Sequence, residues 1–205
     1  MSLGENKMWI AVDIDNTVAN TNLELVRRFG IPLNKYPAPQ IPPKFFTSDE
    51  GMRLFQRSEP FPGAADALRL FSDLGYRVAY ISSRPGNTMF LTVRWLKSHG
   101  FPVEQARDQV SCGLDQNRKL EMITKELAAV AVFEDDPRMA RYALVYGLTV
   151  WLKDWPYNRK LPPVKAPGYN TERVIRFKSW AEVQNAVITS NLDLAAITQR
   201  KGEWE

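Results

Sequence analysis

The stretch from Trp9 to Thr17 constrains the fold of this chain more than any other feature of its sequence. It begins as an apolar run with the branched side chains of a buried β-strand, and it then reaches Asp13 and Asp15, two acids separated by one residue. Asp also favours turns, through local hydrogen bonds to the backbone. However, two carboxylates this close repel each other unless a cation or a shared proton relieves them, and open α/β sheets bind ligands at this end of a strand. Alone, the motif leaves a turn and a metal site equally open.

A second apolar run with the composition of a strand ends in three consecutive acids, Glu134, Asp135 and Asp136. An acidic helix N-terminus, which the helix dipole favours, explains at most two of them. Mg²⁺ binds through oxygen ligands, commonly carboxylates together with water. If the two strands are neighbours in a parallel sheet, Asp13, the backbone carbonyl of Asp15 and either Asp135 or Asp136 would form such a site. Strand alternation turns adjacent side chains to opposite faces, so we expect Glu134 to contribute less.

Two further elements offer groups that bind phosphate oxygens. A third apolar strand ends at Ser82, Ser83 and Arg84, ahead of a glycine and a helix, which is a suitable place for a phosphate. An ordinary serine-rich helix cap is the alternative interpretation. Lys119 begins an amphipathic stretch, where most lysines are solvated surface residues. Neither element is specific without the two acidic motifs.

Taken in this order, the four elements resemble the motifs of the haloacid dehalogenase (HAD) superfamily of phosphotransferases. Asp-x-Asp-x-Thr at residues 13–17 is similar to its first motif, and the strand that leads into Ser82 is similar to its second. Helical Lys119 is similar to the third motif, and Glu-Asp-Asp at residues 134–136 to the fourth. The resemblance spans about residues 8–158, which is most of the chain.

The resemblance implies an α/β fold, a Rossmann-like doubly wound parallel sheet with a small helical cap inserted after the first strand. It assigns residues 8–19 and 62–190 to a phosphatase core and residues 20–61 to the cap. Residues 191–205 then form a C-terminal helix or tail. The sequence departs from the superfamily pattern at Asn16, where glycine is commoner.

The resemblance also implies a catalytic role for each motif residue. Asp13 would be the nucleophile that forms an aspartyl-phosphate, and Asp15 would protonate the leaving group and later activate water. Ser82 and Lys119 would hold the equatorial phosphate oxygens. Mg²⁺ would neutralise charge and orient the phosphate, held by four acids. These metal ligands are Asp13, Asp15, Asp135 and Asp136.

The predicted cap is expected to shape substrate binding. A helix at 21–29 is followed by a proline-rich connector, and Thr47-Ser48-Asp49-Glu50 is typical of a capping box that opens a second helix. Aromatic residues of the cap could form an apolar platform over the leaving group, or they could be the cap's own small core. We take the substrate-binding residues to be Thr17, Ser83, Arg84, Phe45 and Phe46.

Within the superfamily, several segments resemble the 5′(3′)-deoxyribonucleotidases, namely Pro62-Gly63-Ala64, Ser83-Arg84-Pro85, Trp95-Leu96 and Pro156-Tyr157-Asn158. The resemblance implies a Mg²⁺-dependent phosphomonoesterase that acts on a small phosphorylated substrate, a nucleotide. One alternative is a 3′-phosphatase that acts on a nucleic-acid end, since a small cap suits a large substrate. Another is a non-catalytic binding domain with the same fold.

Composition agrees with a soluble enzyme. The chain has 205 residues, 44% of them hydrophobic and 24% charged, which indicates about one globular domain with a small insertion. A net charge of +4 mildly favours anionic substrates without the clustered basic signature of a nucleic-acid binder. One cysteine, Cys112, excludes an internal disulfide. With no signal-peptide pattern and no long apolar run, we expect a cytoplasmic protein that does not enter membranes. The sequence carries no signal for an oligomeric state.

Overall fold

A six-stranded sheet, in which all paired strands are parallel, forms the centre of the computed structural model, which describes residues 8–38, 40–160 and 173–189. The strand order is β3-β2-β1-β4-β5-β6, so the chain crosses from one half of the sheet to the other between β3 and β4. This topology confirms the predicted α/β fold with a parallel sheet. The strands are β1 (Trp9–Val12), β2 (Arg77–Ile81), β3 (Val110–Ser111), β4 (Ala131–Glu134), β5 (Thr149–Lys153) and β6 (Val174–Phe177).

The strands are apolar along almost their whole length because both faces of a parallel sheet are covered. On one face, Ile10 and Phe133 belong to a cluster that includes Phe71 of helix α3 (Ala64–Asp73) and Trp180 of helix α8 (Trp180–Thr189). On the other face, Ala11 and Val132 belong to a second cluster, closed mainly by helix α7 (Pro137–Val145). The two buried layers fix the register of these short strands, because a slip of one residue would move each side chain to the opposite face of the sheet.

Eight α-helices connect and cover the strands in the described ranges. The helix predicted at 21–29 and the helices after β2 and β4 are all present. No described helix combines the length and the apolar composition that crossing a membrane requires. The helices are α1 (Thr21–Phe29), α2 (Asp49–Arg57), α3 (Ala64–Asp73), α4 (Met89–Ser98), α5 (Ala106–Gln109), α6 (Gln116–Glu121), α7 (Pro137–Val145) and α8 (Trp180–Thr189).

Two local predictions differ from the structure. The apolar residues of the helix predicted at 88–99 indicate Phe90 and Trp95 as core positions, yet Phe90 is 80% exposed while Trp95 is buried. The two are five positions apart, which places their side chains roughly 140° apart around α4. The cap of α2 is Ser48 rather than Thr47: the Ser48 hydroxyl accepts the Gly51 N–H at 3.2 Å, and Glu50 pairs with Arg28 of α1.

The segment between β1 and β2 has an apolar cluster of its own. Residues from α1, α2 and the loop between them bury one another there, separately from the two layers on the sheet. A separate apolar cluster of this kind is compatible with a small lid that folds over the sheet. The division into a core and a cap at residues 20–61 stays a prediction. Residues 191–205, predicted as a C-terminal helix or tail, lie outside the described residues. The buried members of the cluster are Leu25, Ile31, Ile41, Phe45, Leu54 and Phe55.

Candidate active site

Three neighbouring strands bring the sequence motifs to one edge of the sheet. Asp13 follows β1, which pairs with β2 on one side and with β4 on the other. Ser82 follows β2, and Glu134 is the last residue of β4. Because the three strands are parallel, their carboxyl ends lie together, at the place where open α/β sheets bind ligands.

Lys119 connects the acids at this edge. It lies on α6, whose first turn is capped by Asp115, and its side chain is buried against the ends of the strands. The Lys119 ammonium donates to Asp13 at 2.6 Å and to Glu134 at 3.3 Å. Burial alone would lower the pKa of Lys119, but the attraction of Asp13 and Glu134 outweighs burial and raises it. Lys119 is therefore a fixed cation at the base of the site.

Asp13, Glu134 and Asp135 form a compact group of buried carboxylates. One oxygen from each lies within 4.8 Å of the others. Burial raises the pKa of all three groups, that of Glu134 to about 8, and repulsion between the acids adds to the effect. One lysine cannot balance three carboxylates. Oxygen ligands that repel one another in a dry site are the donor set that suits a hard divalent cation such as Mg²⁺.

The structure groups Glu134, rather than Asp136, with Asp13 and Asp135. Strand alternation predicted that Glu134 would turn away, but β4 ends at Glu134, so the alternation does not extend to the residues that follow. Asp136 instead caps α7, accepting the Arg138 N–H at 2.8 Å, and it pairs with the Arg138 guanidinium. Gln116 donates to its second oxygen at 3.0 Å.

Asp15 is held on the cap side of Asp13. The Arg84 guanidinium donates to both of its carboxylate oxygens, at 2.9 Å each, and the Thr21 hydroxyl donates at 2.5 Å. Asn16 after it has φ +63°, a conformation in which glycine and asparagine are favoured. Its side-chain carbonyl accepts the Asn22 N–H at 2.7 Å. Asparagine at position 16 thus suits the left-handed turn that the chain makes after Asp15.

The predicted phosphate-binding and substrate-binding residues of the core occupy different positions. Ser83 lines the cavity above the carboxylates, as does Arg84, whose guanidinium is taken by Asp15. The Ser82 side chain is buried below the cavity surface and accepts the Arg84 N–H at 3.0 Å. Thr17 is also buried, and its hydroxyl donates to Asp135 at 3.4 Å. Thr17 and Ser82 therefore hold neighbouring site residues in place.

A cavity of about 610 Å³ lies above the carboxylates and below the cap. Its floor is polar and carries Asp13, Lys119 and the acids of the fourth motif. Its walls are mainly apolar side chains from α1, α2 and the proline-rich loop between them. The volume lies within the range of sites that enclose small organic ligands.

The aromatic side chains of the cap divide into two groups. Phe46, Phe55 and Tyr36 line the cavity. Phe45, which we predicted to bind substrate, is buried in the apolar cluster of the cap, where its ring contacts Phe29 with centroids 5.0 Å apart. Of the two neighbouring phenylalanines, only Phe46 lines the cavity.

Tyr157 and Asn158 were missed as site residues by sequence reasoning. The Tyr157 hydroxyl donates to the Asp135 carboxylate, and the Asn158 amide donates to the Asp135 carbonyl at 2.9 Å. Tyr157 also contacts Tyr36 of the cap, with ring centroids 5.0 Å apart. The segment Pro156-Tyr157-Asn158 was noted in the sequence for its resemblance alone, and its place after β5, next to β4 in the sheet, was the available signal.

The sequence is similar to known proteins of two kinds. Residues 45–134 match the family model described as "PITM 1-3, LNS2 domain". A Bacillus cereus protein named "Putative nucleotidase" is 25% identical over 150 residues, covering 69% of this chain and 72% of its own.

Solved structures share the fold at low sequence identity. D,D-heptose 1,7-bisphosphate phosphatase from Burkholderia thailandensis has a TM-score of 0.54 at 13% identity, covering 90% of this chain and 100% of that one. The corresponding enzyme from B. bronchiseptica, complexed with magnesium and phosphate, has a TM-score of 0.53 at 15% identity, covering 88% and 98%.

The parallel fold is the one that these solved phosphatases share, and the four sequence motifs lie at one edge of its sheet. In sequence, the chain is similar to proteins named putative nucleotidases.

Proposed function

We propose that this protein is a Mg²⁺-dependent phosphomonoester hydrolase that works through an aspartyl-phosphate on Asp13 and acts on nucleoside monophosphates. The observation that carries the proposal is the Asp13 carboxylate, held at 2.6 Å by buried Lys119 and grouped with Glu134 and Asp135 under a cavity. Structural ion pairs do not require a cavity above them. A buried nucleophile candidate that faces one is typical of a reaction site.

The roles of the side chains follow from where they lie. An oxygen of Asp13 attacks phosphorus and the bond from phosphorus to the ester oxygen breaks, while Asp15, which enters this half-reaction protonated, gives its proton to the departing oxygen. In the second half-reaction Asp15 takes a proton from water, whose oxygen attacks phosphorus and releases Asp13 and inorganic phosphate. Lys119 contributes positive charge next to Asp13, which lessens the repulsion between a phosphate and the attacking carboxylate.

Asp13, Glu134 and Asp135 are the side chains that would hold the metal ion, together with the backbone carbonyl of Asp15. A bound Mg²⁺ neutralises charge on the transferring phosphoryl group and orients it for attack. Support for this ligand set comes from the three carboxylate oxygens within 4.8 Å and from pKa values raised by burial and mutual repulsion.

The cavity supports a small substrate with a flat, largely apolar leaving group. Phe46 and Tyr36 line the cavity above a polar floor, and a volume of about 610 Å³ has room for a nucleoside attached to the phosphate. Bases stack on aromatic side chains, each contact being worth about 1–3 kcal/mol. The similarity of this chain to two proteins named putative nucleotidases supports the same substrate class.

A phosphate-release panel tests the proposal. The purified protein would be assayed with nucleoside 5′- and 3′-monophosphates, a 3′-phosphorylated oligonucleotide, sugar phosphates and p-nitrophenyl phosphate, each with Mg²⁺ and with a chelator. We expect Mg²⁺-dependent release that is fastest with mononucleotides. Preference for the oligonucleotide end would replace the substrate assignment, and no release from any ester would overturn the phosphatase assignment.

A further inference from the structure

We propose that Arg84 is the positioning residue of the acid–base group, and that it links Asp15 to the cap. The inference rests on the proposed function, since it assigns a partner to the proton donor of that reaction. Arg84 follows the second motif and was expected to bind substrate, but its guanidinium pairs with Asp15 in the structure.

The Arg84 guanidinium and the Asp15 carboxylate form a bidentate ion pair. Nε donates to one oxygen of Asp15 and Nη2 to the other, both at 2.9 Å. A paired contact of this kind fixes the plane of a carboxylate as well as its distance. Lysine cannot reproduce the geometry, because its ammonium is a single point of charge.

The guanidinium is itself held from three sides. Its side chain is fully buried, and Nη1 donates to the Thr92 hydroxyl of α4 at 3.4 Å. The face of the guanidinium lies over the Phe55 ring of α2, 4.6 Å from its centroid, and 5.8 Å from the Trp95 ring of α4. Arg84 thus contacts helix α2 and Asp15 at the same time.

Asp15 needs such a support because its own place in the chain fixes it poorly. It lies in a turn after β1, and its side chain is 24% exposed, whereas that of Asp13 is 9% exposed and is held by Lys119. Without Arg84, the hydroxyl of Thr21 would be its one remaining side-chain partner among the hydrogen bonds of the described residues. A carboxyl group that is misaimed by about 1 Å can lose on the order of 10²-fold in rate.

The ratio of kcat/KM for an alkyl phosphate to kcat/KM for an aryl phosphate reports on proton donation by Asp15. A purely structural role of Arg84 would leave this ratio unchanged. An alkyl phosphate such as a nucleoside monophosphate releases a strongly basic alkoxide, which needs a proton from Asp15. p-Nitrophenyl phosphate releases a stable phenolate, which needs little proton donation. Loss of positioning at Asp15 therefore lowers turnover of the alkyl ester much more than turnover of the aryl ester.

The experiment compares kcat/KM for both esters, with Mg²⁺, in the parent enzyme, Arg84→Lys and Asp15→Asn. We expect Arg84→Lys to reproduce the pattern of Asp15→Asn, with a loss of about 10²-fold on the nucleotide and under about 10-fold on p-nitrophenyl phosphate. Arg69→Lys is the matched control, because this exposed arginine on α3 undergoes the same change outside the site. It should leave both values at the parent level.

A second variant keeps the test decisive if Arg84→Lys does not fold. Thr92→Val removes the hydroxyl that holds Nη1 while keeping the side-chain volume, and it should give a smaller loss of the same selectivity. Equal losses on the two esters, or faster turnover of the nucleotide, in whichever of these variants folds would overturn the positioning role. A parent enzyme inactive on both esters would instead refute the proposed function.

Discussion

Lys119 sets the charge balance of the site at the scale of single residues. It is the cation closest to Asp13 and Glu134, and all three side chains are almost completely buried. Removing one partner from a buried ion pair typically costs about 3–5 kcal/mol, because the remaining charge has no compensation. Lys119 supplies one positive charge to the three carboxylates of Asp13, Glu134 and Asp135. The uncompensated negative charge makes these three carboxylates suited to a divalent cation.

The first prediction separates Glu134 from Asp136. Glu134→Gln should raise the Mg²⁺ concentration for half-maximal activity by about 10–100-fold, a range typical of damaged metal sites. Asp136→Asn should change it far less, because asparagine also caps a helix N-terminus and Asp136 is paired with Arg138. A Mg²⁺ titration of phosphate release measures both, and a larger effect for Asp136→Asn would refute the ligand assignment.

The meeting of the acidic motifs at one edge of the sheet was predictable from sequence. Asp13, Asp15 and Asp135 stand at the ends of apolar runs, and parallel strands bring such ends together. The grouping of Glu134 with Asp13 and Asp135 was not predicted, because alternation holds only inside a strand and the last strand residue cannot be identified from composition. The pairing of Arg84 with Asp15 joins residues 69 positions apart, and no local pattern encodes it.

At the scale of elements, the 3₁₀ turn Pro43–Phe45 packs against helix α2 beside the cavity. Gly51 allows their close approach, since a Cβ atom there would lie 2.3 Å from the Phe45 carbonyl oxygen. In this arrangement Phe45 lies in the cap cluster and Phe46 lines the cavity. The sequence placed two phenylalanines side by side and could not distinguish them, because the choice depends on that packing.

The second prediction uses this pair of neighbours as mutual controls. Phe46→Ala should lower kcat/KM for a mononucleotide by the factor that corresponds to one stacking contact, which is worth about 1–3 kcal/mol. It should leave kcat/KM for p-nitrophenyl phosphate nearly unchanged. Phe45→Ala should instead lower the melting temperature, since emptying a buried phenylalanine site costs about 3–5 kcal/mol. Steady-state kinetics and thermal unfolding of both variants measure the difference. Equal losses on both esters for Phe46→Ala would show that its ring only packs the cap.

The third prediction concerns the stability of the whole molecule as a function of pH. The pKa of Glu134 is raised to about 8 from an unfolded value near 4.5, and those of Asp13 and Asp135 are raised as well. Between these limits the folded chain holds protons that the unfolded chain has released, so stability falls as pH rises. We expect the melting temperature of the metal-free protein to decrease from about pH 5 to pH 8.

Two controls accompany the pH series. Mg²⁺ binds the folded, ionised carboxylates and should reduce the decline, contributing about 2.7 kcal/mol at a concentration 100 times its Kd. Glu134→Gln removes one of the titrating groups and should flatten the curve without metal. A metal-free melting temperature that rises steadily over this range would contradict the account of the buried carboxylates.

Asp13 as the nucleophile is the central element of the proposed mechanism, and one measurement tests that role directly. Phosphate release from a nucleoside monophosphate with Mg²⁺ would be compared between the parent and Asp13→Asn, with folding of the variant verified by its thermal transition. The amide neither attacks phosphorus nor brings a full charge to the metal, so we predict no detectable turnover by the folded variant. Turnover within a few-fold of the parent would contradict the account.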